Sequence, residues 1–269
     1  MAKAILNDTT KCIGCRACQV ACKSWHNLPG EKTSFSETWS NPRYLDADNF
    51  NRLIFREIVS PEGQVSWHFV SRRCMHCLTP ACASACPVGA LKKMPNGPVA
   101  YNDDICIGCR YCMMACPFQI PKFEWGKAVP YIKKCTFCVE RLEAGLEPAC
   151  TSTCPTGGLL FGEREELIRE ARRRIAKGNG RYYPEIYGEK IGGGTSILYL
   201  TALSFEQLGL NRQGFRTDLG DYPHGLYGRE WMSKVPWVAL TVGGLSAGLY
   251  FVNKRRAEVA AQERKEDKP

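Results

Sequence analysis

Histidine is scarce in this chain, four residues in 269, and the four are scattered. His26, His68, His76 and His224 have no acid or nucleophile pattern around them, so acid–base or nucleophilic catalysis finds no constellation to use. Cysteine is absent beyond residue 154. The run Gly192-Gly193-Gly194 lacks the strand before and helix after that a dinucleotide fold needs, and reads as a bend. Residues 1–10 carry neither an apolar h-region nor paired arginines, which predicts no export signal in this chain. Acidic residues are outnumbered, 27 against 36 Lys and Arg, for a formal net charge of +9. Taken alone, that excess suggests nucleic acid or an anionic membrane surface as a partner.

What is present is cysteine, sixteen residues that sort without remainder into four quartets. They are Cys12-Cys15-Cys18-Cys22, Cys74-Cys77-Cys82-Cys86, Cys106-Cys109-Cys112-Cys116 and Cys135-Cys138-Cys150-Cys154. The first and third read C-x2-C-x2-C-x3-C, the spacing with which bacterial ferredoxins hold cubane clusters. Three cysteines on a tight loop wrap three iron corners, and the fourth ligand arrives from another run. Pro87, Pro117 and Pro155 follow the last cysteines of three quartets, as in ferredoxins; Lys23 follows Cys22, a departure. Gly14 and Gly108 let backbone N–H groups approach the cluster. Disulfides are disfavoured because cysteines three apart are too crowded for unstrained bridges. Structural zinc prefers separated C-x2-C pairs, which the first and third quartets do not offer. Four quartets predict four [4Fe–4S] clusters and a conduit for electrons.

Spacing alone leaves two pairings open. Quartets two and three lie 20 residues apart, Cys86 to Cys106, and favour one inner unit enclosed by quartets one and four. This nested version joins Cys12, Cys15 and Cys18 with Cys154, and Cys135, Cys138 and Cys150 with Cys22. Inside it, Cys74, Cys77 and Cys82 join Cys116, and Cys106, Cys109 and Cys112 join Cys86. The rival, one with two and three with four, places a 52-residue step between Cys22 and Cys74 inside its first unit. Each oxidised cluster with its thiolates carries about −2, so four offset about eight positive charges. Arg16, Arg72, Arg73, Arg110, Lys133 and Lys134 beside the cysteine runs are then internal compensation, and nucleic acid is not needed. A head organised this heavily by metal should fold poorly without it.

The expected class is α+β: two pseudo-symmetric ferredoxin-like units, one inserted in the other, plus one C-terminal transmembrane helix. Residues 1–165 form the four-cluster head, with an insertion at about 25–73 containing a β-hairpin, Arg52–Val59 and Gln64–Ser71 around Ser60-Pro61-Glu62-Gly63. Residues 166–233 hold a helix and an extended partner-binding arm. The helix, 163–177, opens acidic, closes basic and carries Leu167, Ala171 and Ile175 on one stripe. The arm covers 204–232. Residues 234–253 are the membrane helix, built on an uncharged run from Val235 to Val252, with Pro236 in its first turn. Trp231, Trp237 and Tyr250 suit interfacial belts, and Gly244 and Gly248 make a G-x-x-x-G step for a helix partner. Residues 254–269 form a charged tail. Lys254, Arg255 and Arg256 behind the span, against Arg229 and Lys234 before it, place the C-terminus in the cytoplasm and the head outside. Clusters are built inside the cell, so the head would be exported beside a partner carrying a twin-arginine signal.

The quartet ladder, with Cys-Ile-Gly-Cys-Arg-Ala-Cys-Gln-Val-Ala-Cys at 12–22 and Trp25-His26-Asn27-Leu28-Pro29 after it, resembles the iron–sulfur (β) subunit of membrane-bound respiratory formate dehydrogenases. Cys74-Met75-His76-Cys77, the stretch from Cys86 to Lys93, and Tyr187-Gly188-Glu189 with Gly192–Thr195 are at least as similar to the electron-transfer subunit of membrane-bound uptake [NiFe] hydrogenases. The resemblance covers about residues 8–210 and the C-terminal helix. It implies the nested pairing and a catalytic subunit of molybdopterin, tungstopterin or NiFe type at one end. At the other it implies a cytochrome b or quinone-reacting membrane subunit packed on the anchor. The absence of an export signal favours the formate dehydrogenase arrangement or a shared partner signal. The expected role is a non-catalytic relay from catalytic subunit to membrane quinone. Its alternatives are the same conduit in another molybdopterin complex running in the reductase direction, an enzyme in its own right, and a cluster-based sensor or scaffold. A sensor would need only one exposed cluster. His76, between two ligands, is expected to pack or hydrogen-bond near a cluster.

Overall fold

The computed structural model describes residues 2–33, 35, 38–210 and 224–266. In chain order it runs β1 (Lys3–Asp8), α1 (Ala17–Trp25), β2 (Arg52–Val59), β3 (Val65–Arg72), α2 (Ala81–Ser84), β4 (Leu91–Lys93), β5 (Val99–Tyr101) and α3 (Tyr111–Ala115). It continues with β6 (Lys122–Phe123), β7 (Ile132–Lys133), α4 (Val139–Glu143), α5 (Ala149–Ser152), β8 (Leu159–Glu163), α6 (Arg164–Lys177), β9 (Ile197–Leu200) and α7 (His224–Glu266). The chain separates into two units, Met1–Tyr227 and Gly228–Pro269.

In the first unit β1 is the middle strand of a three-stranded sheet, antiparallel to β8 and parallel to β9. Residues alternate between the faces of a strand, and here both faces are covered. Ala4 and Leu6 join Leu198 and Leu200 of β9 against Leu167, Ile168 and Ala171 of α6. Ile5, with Ile197 and Tyr199, faces the other way, into a core that includes Met75, Phe137 and several cysteines. Helix α6 begins one residue after its expected start and buries the expected stripe, except that Ile175 is only partly covered. Glu165 and Glu166 in its first turn and Arg174 and Lys177 in its last complement the helix dipole. Arg174 Nη1 donates to Asp8 Oδ2 at 2.7 Å and clips the helix to β1.

The hairpin β2–β3 forms one residue later on its second strand than the sequence predicts, with Val59 opposite Val65. Gly63 takes a positive φ of 80° to close the turn. Its aromatic side is a ladder of edge contacts, Trp39–Trp67–Phe55–Phe69, and Phe69 presses on Gly14, where a Cβ would sit 3.0 Å from the ring. The short helices pack in pairs, α1 on α5 and α2 on α3. The small hairpins β4–β5 and β6–β7 complete the head.

Three expectations change. The division at residue 165 is not a structural boundary, because β9 supplies an edge of the sheet that β1 and β8 begin. The extended arm is replaced where it is described: Phe205, Leu208 and Leu210 are buried in the head core, and residues from His224 onward are helical. Residues 204–210 turn back on themselves, Leu210 N donating to Phe205 O at 2.7 Å with Gly209 at φ 71°. The middle of the expected arm, 211–223, lies outside the described residues. Finally, α7 is one helix of 43 residues, so Pro236 is interior rather than in the first turn and the tail continues the helix to Glu266.

In the second unit, Lys234–Ala260 is long and apolar enough to cross a membrane, and its span is exposed throughout. Its 27 residues make about 40 Å of helix against about 30 Å of hydrocarbon. It fits a single-pass anchor. An interior proline is tolerable in such a segment, where neighbouring groups re-satisfy the freed carbonyl.

Candidate metal centres

The cysteine loops end in helices whose entry residues bend the backbone sharply. Arg16 before α1 and Arg110 before α3 sit in the left-handed region at φ 62° and 63°. Their guanidinium groups lie over aromatic rings, Arg16 on Phe55 and Arg110 on Phe123 and Trp125. Gly14 and Gly108 take positive φ, 75° and 66°, inside the same loops. Helices α2 and α5 begin instead after Pro80 and Pro148. These turns direct the thiols inward.

One cavity is lined by Cys12, Cys15, Cys18 and Cys154 and roofed by Leu53 and Ser71 of the hairpin. A second is lined by Cys22, Cys135, Cys138 and Cys150, with His26 and Arg73 in its wall. A third is lined by Cys86, Cys106, Cys109 and Cys112. Burial first, then Cys74, Cys116 and Cys82, holds Cys77 well above the ordinary thiol value, against the pull of Lys93. The second cavity is the most enclosed, all four of its thiols being buried, whereas Cys15 at the first is exposed.

Without metal these thiols resist ionisation. Burial first, then the neighbouring thiols, pushes Cys12 up to about 11 against the pull of the Gly14 N–H. Burial and its neighbours likewise push Cys112 to about 11 and Cys82 and Cys135 to about 12. Cys154 goes the other way. Burial opposes its ionisation, but the Leu159 N–H, the Thr156 hydroxyl and N–H and the Gly158 N–H bring it below the ordinary thiol value. Nothing in the spacing announced that difference. Binding of a metal cluster therefore has to displace protons from most of the ligands.

Arg73 shows what the cavities are built to receive. Its side chain is only 1 % exposed, and no carboxylate pairs with it among the described residues. Nη1 donates to Cys150 Sγ at 2.8 Å and Nη2 to Ser71 Oγ at 2.7 Å, while Nε has no acceptor. A buried cation without an anion is strongly unfavourable. An anionic cluster held through Cys150 would supply the missing charge. Among the described residues no three Cys, His, Asp or Glu side chains converge where a single ion could sit. Four thiols around one cavity suit the four iron corners of a cubane.

Other cations surround the centres unevenly. Lys134 is buried and donates to Val99 O and Cys135 O. Lys93, not singled out by the sequence, donates to His76 O and Gly97 O, and burial lowers it to about 8. Arg72 reaches Phe118 O, and Lys133 lies over Tyr131. His76 is fully buried, and burial, then Lys134, Lys93 and Arg73, hold it well below its usual value, so it is neutral. The Val99 N–H donates to its Nδ1 at 2.9 Å, which leaves the ring proton on Nε2, 3.5 Å from Cys135 Sγ. His76 thus belongs to one cysteine run and serves a thiol of another. His26, unplaced by the sequence, has Nε2 3.7 Å from Cys138 Sγ. His68 stays on the hairpin beside Ser66.

Two matches to the 4Fe–4S dicluster domain cover residues 11–90 and 65–164 and together include all sixteen cysteines. A protein of Nitratidesulfovibrio vulgaris is 40% identical over 265 residues, 97% of this chain and 70% of its own length. Hydrogenase-2 operon protein HybA of Escherichia coli O157:H7 is 39% identical over 238 residues, 77% of this chain and 72% of its own length. The nitrate-inducible formate dehydrogenase iron–sulfur subunit of Escherichia coli K12 is 40% identical over 198 residues, 72% of this chain and 66% of its own length.

Proposed function

As this chain belongs to the 4Fe–4S dicluster family of iron–sulfur subunits, we propose that it is a relay in which four [4Fe–4S] clusters stand in series. Cys12, Cys15, Cys18 and Cys154 hold the first. Cys22, Cys135, Cys138 and Cys150 hold the second. Cys74, Cys77, Cys82 and Cys116 hold the third, and Cys86, Cys106, Cys109 and Cys112 the fourth. The packing of α1 on α5 and of α2 on α3 supports two nested ferredoxin-like units, quartet one with four and two with three.

One observation carries the serial order. Contacts link the centres in turn: Arg73 bonds Cys150 and also Ser71, which lies 3.6 Å from Cys18; His76, beside Cys77, stands 3.5 Å from Cys135; and Cys82 and Cys112 share one buried cluster. That ladder runs first to second to third to fourth. A bound cluster supplies reversible one-electron chemistry. The residues of this chain hold each centre, and Ile5, Phe137 and Met75 pack water away from the middle of the series. His76 and Arg73 bridge neighbouring centres.

The chain has no catalytic role of its own in this reading. A catalytic subunit, of formate dehydrogenase or NiFe hydrogenase type, loads electrons at one end. A membrane subunit receives them, with the helix within Lys234–Ala260 packed against it. Anaerobically purified chain should contain about sixteen iron and sixteen sulfide per molecule and show no turnover alone. Zinc in place of iron, or iron for only one or two clusters, would overturn the relay. The co-purifying large subunit, molybdopterin or NiFe type, identifies the electron source.

A further inference from the structure

The second centre, at Cys22, Cys135, Cys138 and Cys150, differs from the others in what points at its sulfurs. Among the described residues it alone receives a hydrogen bond from a charged side chain, Arg73 Nη1 to Cys150 Sγ at 2.8 Å. His76 Nε2 stands 3.5 Å from Cys135 Sγ, and His26 Nε2 3.7 Å from Cys138 Sγ. Side-chain hydrogen bonds to the first centre come from neutral hydroxyls, Ser71 at 3.6 Å from Cys18 and Thr156 at 3.8 Å from Cys154, while Arg16 in its wall donates to Trp39 O. At the fourth centre Tyr101 lines the cavity and its hydroxyl accepts from the Ile132 N–H, while Arg110 in the same wall lies over Phe123 and Trp125. Lys93 and Lys134 stand beside the third centre, yet their ammonium groups donate to backbone carbonyls and Ser196 and to no cysteine sulfur.

Reduction adds one negative charge to a cluster and its thiolates, and N–H donors and fixed cations stabilise that charge. Burial of all four thiols opposes it. The same burial removes water from Arg73, so its field reaches the sulfurs unscreened. Among the described residues no carboxylate neutralises Arg73, and its hydrogen bond to a cysteine sulfur goes to this centre. Arg73 also touches Ser71, whose hydroxyl donates to Asn51 Oδ1 at 2.7 Å and lies beside Cys18, so the cation stands between the first and second centres.

Building on the four-cluster reading above, we propose that Arg73 makes the centre at Cys22, Cys135, Cys138 and Cys150 the highest-potential one of the four, where a single electron entering the chain settles. The step is one electron passing from a reduced neighbouring centre, which is oxidised by its loss, to the second centre, which is reduced by its gain. No bond is made or broken, and no proton need follow, since Arg73 is a permanent cation.

The test is a redox titration followed by electron paramagnetic resonance on the complete, anaerobically purified complex. Iron and sulfide content is measured first; a shortfall in the native protein defeats the four-cluster reading itself, separately from the ranking of potentials. With four clusters present, Arg73→Gln should lower the reduction equilibrium constant of the highest-potential signal at least tenfold, 59 mV for one electron. The other three signals should stay in place, and Arg73→Lys should recover most of the shift. If Arg73→Gln fails to load this centre, Cys22→Ala decides by assignment: it should remove the highest-potential four-iron signal. The proposal is overturned if that signal survives Cys22→Ala, or if Arg73→Gln loads fully and leaves it unmoved.

Discussion

At the scale of single residues, the thiols are assigned one by one and so fail one by one. Cys109→Ala should remove or convert one cluster and spare three, read as a loss of about four irons of sixteen on removal or about one on conversion, with three intact four-iron resonance signals. A full complement after that change refutes the ligand set. Sixteen candidate ligands could be named from the sequence because a cubane imposes its spacing on local sequence. Their tuning could not. Arg73 drew attention only as one basic residue among several beside the cysteine runs, yet it is buried and bonded to Cys150, while Arg110 lies exposed over Trp125. Which of two similar arginines turns inward depends on distant chain, and spacing carries no information about that. The same holds for His76, whose partner Cys135 is 59 residues away.

At the scale of elements, local patterning did well where an element carries its own signal. The hairpin and α6 both announce themselves, by alternation around a turn and by an apolar stripe between opposite charges. Leu167, 7 % exposed against Ala4, Leu6 and Leu198, anchors α6 to the sheet. Leu167→Ala should destabilise the head by about 2–5 kcal/mol, seen as a lower temperature for loss of cluster absorbance; an unchanged temperature would mean that α6 is not part of the cooperative head. The misread segment lacked such a signal. Phe205, Leu208 and Leu210 fit neither a helical nor a strand period, and they are buried by turning back onto Tyr183 and Tyr187. Strand β1 was equally silent, since six residues gain meaning only from partners about 160 and 190 positions along the chain.

At the scale of the whole molecule, the two units face different solvents. The head buries its apolar core, whereas Trp237, Leu240, Leu245, Leu249 and Phe251 of α7 are all exposed, an arrangement that makes sense in lipid. Three cations at Lys254–Arg256 behind the span, against two before it at Arg229 and Lys234, bias the C-terminus toward the cytoplasm. The head is then expected on the outer face, and protease added to intact spheroplasts should digest it. Protection of the head there, with digestion only after lysis, reverses the orientation.

The placement of β1 at the centre of its sheet also dictates a schedule. This strand precedes both its partners in the chain, one neighbour ending at residue 163 and the other beginning at 197. The growing chain must therefore leave one edge of β1 unpaired until residue 197 and its strand have emerged. Every cysteine is synthesised inside that interval, which gives the iron-delivery machinery open access before the last strand shuts the door.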